Sequence, residues 1–429
     1  MAPRAGGSAI RTDRETVRRR LVGVLFAGVA LGSTGHIAAV TVTSIVALEL
    51  GGDRTLAGLP AAAVVLGAAL GATVLGAIMG RWGRRPGLAG GYVVAVIGAF
   101  VAVAGIVADS FPILLLGSVA IGFGNSSNQL SRYAAADMYP SRRRASAIGL
   151  VVWAATVGAV IGPNLVNVSG DIAVSLGLPR LSGPYLVPIV LVGIAALISA
   201  FLLRPDPRDL ADTSADEGKE PVPPAQLGKV LRRPTVALAV LALIAGQFVM
   251  VLIMTITPLH MTDHGHDLAA VGIVISAHVF GMFALAPISG RLTDRFGSLP
   301  IIASGFALIL ASALLSAIAP PHEQLLLLLS LFLLGWGWNL GFVAGSSMLT
   351  GAVSTAERPR VQGVSDSLIW STSAIASLGS GFVVGAWGFA TLGIMGAVII
   401  GVVGAVVLLG RGAIGRPSSP AAPLAPTVD

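Results

Sequence analysis

Two short segments decide the fold of this chain: GAIMGRWG at residues 76–83 and GRLTDRFG at residues 290–297. Each lies between two apolar stretches, and the second repeats the glycine and arginine positions of the first after 214 residues. About the same offset relates further pairs, in which Gly122-Phe-Gly124-Asn125 matches Gly335-Trp-Gly337-Trp-Asn339, and Arg144 and Gly149 match Arg358 and Gly363. The sequence therefore indicates that one multi-helix unit has been duplicated within the chain.

The composition places these repeats in a membrane. The chain has 429 residues, of which 55% are hydrophobic and 11% are charged, and its mean hydropathy is +0.87. A soluble protein carries about 25% charged residues, so this chain is an integral membrane protein. Its 55 glycines suit closely packed membrane helices. Because it has no cysteine, disulfides and thiolate metal sites are excluded.

The apolar pattern predicts an all-α membrane protein with twelve transmembrane helices in two pseudo-symmetric six-helix halves. The spans are expected near residues 21–48, 56–79, 87–108, 111–138, 145–168, 184–203, 234–259, 268–289, 299–319, 323–351, 361–384 and 388–410. The expected domains are a cytoplasmic arm at 1–20, an N-terminal half at 21–203, a flexible cytoplasmic linker at 204–233, a C-terminal half at 234–410 and a disordered cytoplasmic tail at 411–429.

The basic residues predict the orientation. Twelve spans place both termini on one side, and the loops of the other side carry only Arg54 and Arg180. By the positive-inside rule, we expect both termini in the cytoplasm and a multi-pass protein of the cytoplasmic (inner) membrane. The net charge of +7 then reflects topology, so we expect lipid contacts and no nucleic-acid partner. The basic residues of the expected cytoplasmic side include Arg81, Arg84, Arg85, Arg142, Arg143, Arg144, Arg291, Arg295, Arg358, Arg360, Arg411 and Arg416.

At this point a family resemblance becomes specific. Over essentially its full length the chain resembles a major facilitator superfamily transporter. GAIMGRWGRR is similar to the family's motif A, G-x-L-x-D-R-x-G-R-R, with Gly80 in place of the aspartate, whereas the second copy keeps a carboxylate at Asp294. Gly158-x3-Gly162-Pro163 is similar to motif C of drug/proton antiporters. The arginine of motif B is missing, with Ser118 near its place, which weakens the antiporter interpretation.

The resemblance implies a secondary transporter that works by alternating access, usually as a monomer. The chain is not expected to be an enzyme, and no resident cofactor is expected. It has no phosphate-binding GxxxxGK[ST] motif for ATP hydrolysis, so transport would use ion or substrate gradients. A membrane receptor without transport activity remains a third class of interpretation.

Methionine and histidine are concentrated in one stretch. The chain has nine Met and six His, and eight of these fifteen lie between Met250 and Met282. Thioether and imidazole ligands suit a soft ion such as Cu(I), although Met is also an ordinary apolar filler. Met250 and Met254 on the seventh span, and His278 and Met282 on the eighth, are spaced i, i+4, so each pair shares one helix face. The expected copper ligands are Met250, Met254, His278 and Met282, with His260, Met261, His264 and His266 at the outer mouth.

These spacings also carry a resemblance. Met-x3-Met followed by His-x3-Met, within TPLHMTDHGHD and AHVFGMFALAPISGRL, is similar to the CcoA-type copper importers of this superfamily. The resemblance implies copper uptake, with copper as the transported cargo. Riboflavin transporters belong to the same subfamily, so riboflavin uptake is the alternative, followed by proton-coupled export of a hydrophobic drug.

Further polar residues are candidates for the cavity and for gating. His36 on the first span suits either proton coupling or a hydrogen-bonding position in the cavity wall. The other expected cavity or coupling residues are Asn125, Asn128, Gln129, Asn339 and Trp336, with Trp338 beside them. The expected gating residues are Arg81, Arg84, Arg132, Asp137, Asp294, Arg295 and Asp366. We expect Arg132 to pair with a residue such as Asp137, and Asp366 to pair with Arg81 or Arg84.

Overall fold

The structure is a computed structural model that describes residues 6–51, 58–211 and 226–410. The side chains of residues 6–13, 51, 268 and 269 are not among those described. The predicted tail at 411–429, residues 212–225 of the predicted linker, and Arg54 lie outside the described residues. Within the described ranges, every regular element is helical.

The N-terminal half contains six long helices, of which the fifth is interrupted once at Ala154. They are α1 at Gly6–Gly51, α2 at Leu59–Trp82, α3 at Arg84–Val107, α4 at Phe111–Asp137, α5 at Arg144–Trp153 and Ala155–Ser175, and α6 at Gly183–Leu202. Short 3-10 turns lie at Ser141–Arg143, Arg180–Ser182 and Pro207–Leu210.

The C-terminal half repeats this order, and a helical turn at Leu227–Leu231 precedes it. Its helices are α7 at Pro234–Met254 and Thr257–Asp263; α8 at Leu268–Val279, a π-helical turn at Phe280–Ala284, and Ala286–Phe296; α9 at Ser298–Ile318; α10 at Gln324–Ala352; α11 at Arg358–Trp387; and α12 at Phe389–Leu409.

Ten of the described helices are long and apolar enough to cross a membrane. The two parts of α8, bent by 42°, form an eleventh span if they are taken together. The remaining long helix is α4, whose 27 residues extend about 40 Å. It is more polar because it carries Asn125, Asn128, Gln129 and Arg132. Six long helices in each half confirm the predicted all-α membrane fold.

The first helix begins earlier than the hydropathy pattern predicts. We expected a polar arm at 1–20, but α1 starts at Gly6 and runs through the apolar span without a break. Arg-rich sequence is compatible with helix, and an i, i+4 pair joins Arg19 Nε to Glu15 Oε1 at 3.4 Å. Glu15 also lies 3.4 Å from Nη1 of Arg143. The arm is therefore tied to the turn that precedes α5.

Most of the described arginines of the bundle gather at one end, which we call the basic end. It is the end where α2 meets α3, where α8 meets α9, and where α5 and α11 begin. Both junctions turn at a glycine with positive φ, Gly83 at 102° and Gly297 at 86°. Residues that carry a side chain rarely adopt such φ values, which explains why both repeated segments have glycine there.

The two halves approach each other closely at the basic end. A Cβ added to Gly149 of α5 would lie 2.3 Å from the carbonyl oxygen of Ala286 in α8. A Cβ added to Gly363 of α11 would lie 2.4 Å from the carbonyl oxygen of Ala72 in α2. Backbone therefore meets backbone along α5–α8 and α2–α11, and the basic end is closed in this structure.

Candidate functional site

A buried charge network lies at the closed basic end. Nη2 of Arg84 lies 2.8 Å from Oδ2 of Asp137 and donates a hydrogen bond of 2.5 Å to Oε1 of Gln362 across the interface between the halves. Nη1 of Arg358 lies 3.4 Å from the other oxygen of Asp137. Asp137 thus joins α3 and α4 of one half to α11 of the other. Arg132, its expected partner, does not contact it.

The Arg132 side chain pairs instead with Asp366 of α11, at 2.6 Å. It also donates to the hydroxyls of Ser346, at 3.1 Å, and Tyr133, at 3.0 Å. All these groups are buried, so the pair joins α4 to α10 and α11 in a region of low dielectric. The expected pairing of Asp366 with Arg81 or Arg84 is therefore wrong.

The carboxylate of Asp294, in the second copy of the repeated segment, caps a helix. Its two oxygens accept hydrogen bonds from the backbone N–H groups of Ala145, at 3.0 Å, and Ser146, at 2.9 Å. These donors belong to the first turn of α5, where the helix dipole also favours a negative charge. The α5–α8 contact is therefore held by a charge-assisted cap. Arg81 and Arg295, two further gating candidates, are exposed and lie over the neighbouring rings of Trp82 and Phe296.

A cavity of about 180 Å³ lies between the halves, beyond the Arg132–Asp366 pair. Four residues expected in the cavity, His36, Asn125, Asn128 and Gln129, line it together with Arg132. Tyr92 donates to Oδ1 of Asn128 at 2.9 Å, and Nδ2 of Asn128 donates to Oδ1 of Asn125 at 2.9 Å. This chain fixes the two amides, and Nδ1 of His36 is buried beside them without a hydrogen-bond partner among the described residues.

A second cavity of about 200 Å³ adjoins the first. It shares Gln129, Arg132, Phe283, Phe342 and Trp370 with the first cavity, and Trp338 and Asp366 also line it. The rings of Trp338 and Phe342 stack with their centroids 4.5 Å apart, and Phe283 meets Trp338 edge-on at 6.0 Å. The two cavities together offer an amide wall from the N-terminal half and an aromatic wall from the C-terminal half.

Gln247 and Trp370 were given no role from the sequence. Oε1 of Gln247 accepts a hydrogen bond of 2.7 Å from the indole N–H of Trp338, and its Nε2 donates to Ser373 at 3.0 Å. Gln247 thus holds the indole in one orientation. The sequence did carry a signal for a role of Gln247, because it is the one polar residue in the apolar stretch from Leu238 to Met254.

This geometry matches a known family. Residues 24–272 and 246–428 match the family model of the Major Facilitator Superfamily. The chain belongs to this superfamily. Its relatives include an uncharacterized MFS-type transporter, YdeG, from Bacillus subtilis, which is 33% identical over 385 residues and covers 89% of this chain and 90% of its own.

One further relative and one solved structure are similar to this superfamily member. The riboflavin transporter RfnT from Brucella anthropi is 33% identical over 384 residues, covering 89% of this chain and 93% of its own. A bacterial homologue of the iron transporter ferroportin, solved in an outward-facing state, aligns with a TM-score of 0.74 at 13% identity, over 91% of this chain and 99% of that chain. The latter shows the shared fold alone.

The expected copper ligands of this transporter occupy different places. Met250 and Met282 line the second cavity. The ring of His278 packs towards α10, where its Nδ1 hydrogen-bonds to the carbonyl of Leu331 at 2.8 Å, while its Nε2 is buried without a partner among the described residues. His278 and Met254 are in the lining of neither cavity. The structure thus brings two of the four together.

The histidines expected at the outer mouth lie apart from the central cavities. His260 and His264, with ring centroids 4.4 Å apart, line a separate cavity of about 430 Å³ beside α9 and α12. Nε2 of His266 hydrogen-bonds to the carbonyl of Pro321 at 2.8 Å, and Met261 is fully buried. Among the residues that the structure describes, no group of three or more His, Asp or Glu side chains is placed to hold a metal ion.

Asn339 of α10 faces α8, and neither Asn339 nor Trp336 lines the central cavities. The amide of Asn339 donates to the carbonyl of Met282 at 2.6 Å and accepts from the hydroxyl of Ser289 at 2.5 Å. The Trp336 ring lies 6.0 Å from that of Phe332. Asn339 thus satisfies a carbonyl in the π-helical turn, so it stabilises the irregular part of α8.

Gln247→Leu is expected to destabilise the protein, because it leaves the buried indole N–H of Trp338 without an acceptor. The cost of such a group is about 1–3 kcal/mol, which a lower midpoint of thermal unfolding in detergent would report. Gln247→Leu combined with Trp338→Phe removes donor and acceptor together, so the double variant should recover part of the loss. A double variant that loses the sum of the two single effects would contradict the coupling.

Proposed function

We propose that this transporter takes up a neutral, planar heteroaromatic solute, with riboflavin as the first candidate, by alternating access across the cytoplasmic membrane. The observation that carries the proposal is the pair of adjoining cavities, with an aromatic wall at Trp338, Phe342 and Trp370 and an amide wall at Asn125 and Asn128. Flat rings stack on aromatic side chains, and amides bind the carbonyl and imide groups at the edge of a flavin ring.

The charges of the cavity favour a neutral cargo. Among the described lining residues, the carboxylate and guanidinium groups are those of Asp366 and Arg132, which neutralise each other. A neutral solute needs no further counter-ion, whereas an anion or cation would have to compete with this pair. The identity to the riboflavin transporter of Brucella anthropi supports the same choice of cargo.

We further propose that the basic end faces the cytoplasm, in line with the positive-inside rule. Its closure then makes this an outward-facing state, ready to receive solute from outside. Because both walls of the cavity come from one chain, the mechanism needs only a monomer. Energy would come from an ion gradient, and His36 is our candidate for proton coupling because its imidazole lies in the cavity wall.

Riboflavin uptake tests the proposal directly. A strain that neither makes nor imports riboflavin should grow at limiting riboflavin, and should accumulate labelled riboflavin, when it expresses this chain. Trp370→Ala should weaken apparent affinity by roughly tenfold, since one base-like ring stacked on an aromatic side chain contributes about 1–3 kcal/mol. The matched control is Trp387→Ala on the same helix, where the side chain is 64% exposed. Equal affinity in both variants, or no uptake by the parent chain, would reject riboflavin.

Copper uptake is the second candidate, and the placement of Met250 and Met282 on one cavity favours it. Cell-associated radioactive copper should rise in a strain lacking its own importer, and the double variant His278→Ala/Met282→Ala should abolish that rise. Since His278 lies outside the cavity lining, Met250→Ala/Met282→Ala is the sharper variant. Copper accumulation that survives it would argue against a thioether path.

A further inference from the structure

The internal repeat places two buried arginines at corresponding positions of the closed basic end. Arg144 at the start of α5 and Arg358 at the start of α11 are separated by the repeat offset of 214 residues. Each has a relative exposure of 8%. Two cations of equal burial thus lie where the two halves close, and each needs a partner to offset its lost hydration.

The partners of these two arginines differ. Arg358 lies 3.4 Å from Asp137 and donates from Nε to the carbonyl of Thr350 at 3.1 Å. Nε of Arg144 is buried without a hydrogen-bond partner among the described residues. The repeat explains the difference, because the position that corresponds to Asp137 is Gly351. A Cβ added to Gly351 would lie 2.9 Å from Nη1 of Arg144, which is where the missing carboxylate belongs.

Asp137 and Asp294 attract Arg144 through space, but neither accepts a hydrogen bond from its Nε. The nearby carboxylate of Asp294 is already engaged. Its two oxygens already accept the backbone N–H groups of Ala145 and Ser146. The repeat has changed here as well, since Gly80 and Pro359 correspond to Asp294 and Ala145. Proline has no N–H to be capped, so the loss of the acid at position 80 is matched by the loss of one of the two donors, at position 359. At position 351 the carboxylate is lost, but the arginine that it would pair with, Arg144, is still present.

We propose that Arg144 is an incompletely compensated cation that favours opening of the basic end. Burying a guanidinium nitrogen without a hydrogen-bond partner is unfavourable, and separation of α5 from α8 and α10 returns it to water. The ion pairs of Asp137 with Arg84 and Arg358 favour the closed state instead. The cap that Asp294 places on α5 does the same. The open and closed states are therefore kept close in free energy, as a carrier that must cycle requires. The proposal goes beyond the choice of cargo and does not depend on it.

The test is to supply the missing carboxylate with Gly351→Asp. The added atoms meet the end of a flexible side chain, which can adjust. Trp82→Cys and Phe296→Cys give corresponding, exposed label sites in the two halves, and the chain has no other cysteine. Distances between spin labels at these sites separate closed from open molecules without any substrate. Gly351→Asp should raise the closed-to-open ratio by about tenfold or more, because a hydrogen bond to a charged group contributes about 1.5–3 kcal/mol.

Three further variants separate charge from packing. Gly351→Asn has nearly the same size without the charge, so it should change the ratio far less. Arg144→Gln removes the cation and should also favour closure. Arg144→Gln/Gly351→Asp adds the carboxylate without its cation and should lose the gain. Equal shifts for Gly351→Asp and Gly351→Asn, an unchanged ratio in Arg144→Gln, or a parent chain with no open population would each overturn the proposal, whatever the cargo proves to be.

Discussion

Asp366→Ala is expected to abolish solute uptake and to reduce stability by about 3–5 kcal/mol, because it leaves the Arg132 guanidinium buried without its carboxylate. The pair is 2.6 Å long and 2–3% exposed, and it joins the two halves beside the cavity. Its loss therefore affects both folding and the position of the cavity wall. Uptake in membrane vesicles and thermal unfolding of the purified protein measure the two effects separately.

The control for this prediction is a salt bridge of similar length at the surface. Nη1 of Arg180 lies 2.7 Å from Asp171, but both side chains are more than half exposed. Asp171→Ala should change neither uptake nor the midpoint of unfolding measurably, since exposed pairs contribute little. If Asp366→Ala behaves like Asp171→Ala, the buried pair does not hold the halves together.

Gly149→Val is expected to hold the basic end open and to stop transport. The backbones of α5 and α8 touch at this position, where an added Cβ would lie 2.3 Å from a carbonyl oxygen that cannot move aside. Valine adds two methyl groups beyond that Cβ. Overpacking usually costs about 1–3 kcal/mol, enough to change the closed-to-open ratio roughly 5- to 150-fold. The spin-label distances described above should shift to the longer, open value, while the amount of protein in the membrane stays the same.

Glycines with different surroundings provide the controls. Gly76→Ala should act like a weaker Gly149→Val, because its Cβ would lie 2.7 Å from the carbonyl oxygen of Pro359. Gly80→Ala, one helical turn away on the same helix, should be neutral, because the nearest atom would be 3.7 Å away. Normal uptake in Gly149→Val, or equal loss in Gly80→Ala, would contradict closure by these backbone contacts.

The repeated segments predicted the fold correctly because they encode local requirements. Glycine is required at positions 83 and 297 because φ is positive there. The apolar stretches on either side of these glycines have the length of a membrane span. The ion pairs were predicted less well because they depend on how helices from different halves meet. Arg132 and Asp137 lie five residues apart, so on an α-helix they point about 140° apart and cannot pair. Helical spacing alone was therefore enough to exclude the Arg132–Asp137 pair.

The Met and His pattern shows a second limit. An i, i+4 spacing places two residues on one face only while the helix remains α. Between His278 and Met282 the chain enters the π-helical turn Phe280–Ala284, which changes the angle per residue. His278 therefore faces α10 while Met282 lines the cavity. Hydropathy and spacing do not report a π-helical turn, whereas the amide walls at Asn125 and Asn128 were found because α4 is unusually polar for its position.

The contact between Arg132 and Ser346 has a consequence for the origin of the chain. These residues occupy the same position in the two repeats, 214 residues apart, and yet they touch. The pseudo-twofold axis therefore runs between them. An ancestor assembled from two identical six-helix chains would have placed two copies of one residue face to face here. Two arginines would repel each other, and two serines would leave the carboxylate of Asp366 on α11 without a cation. Arg132 and Ser346 can meet here because the two halves no longer share one sequence.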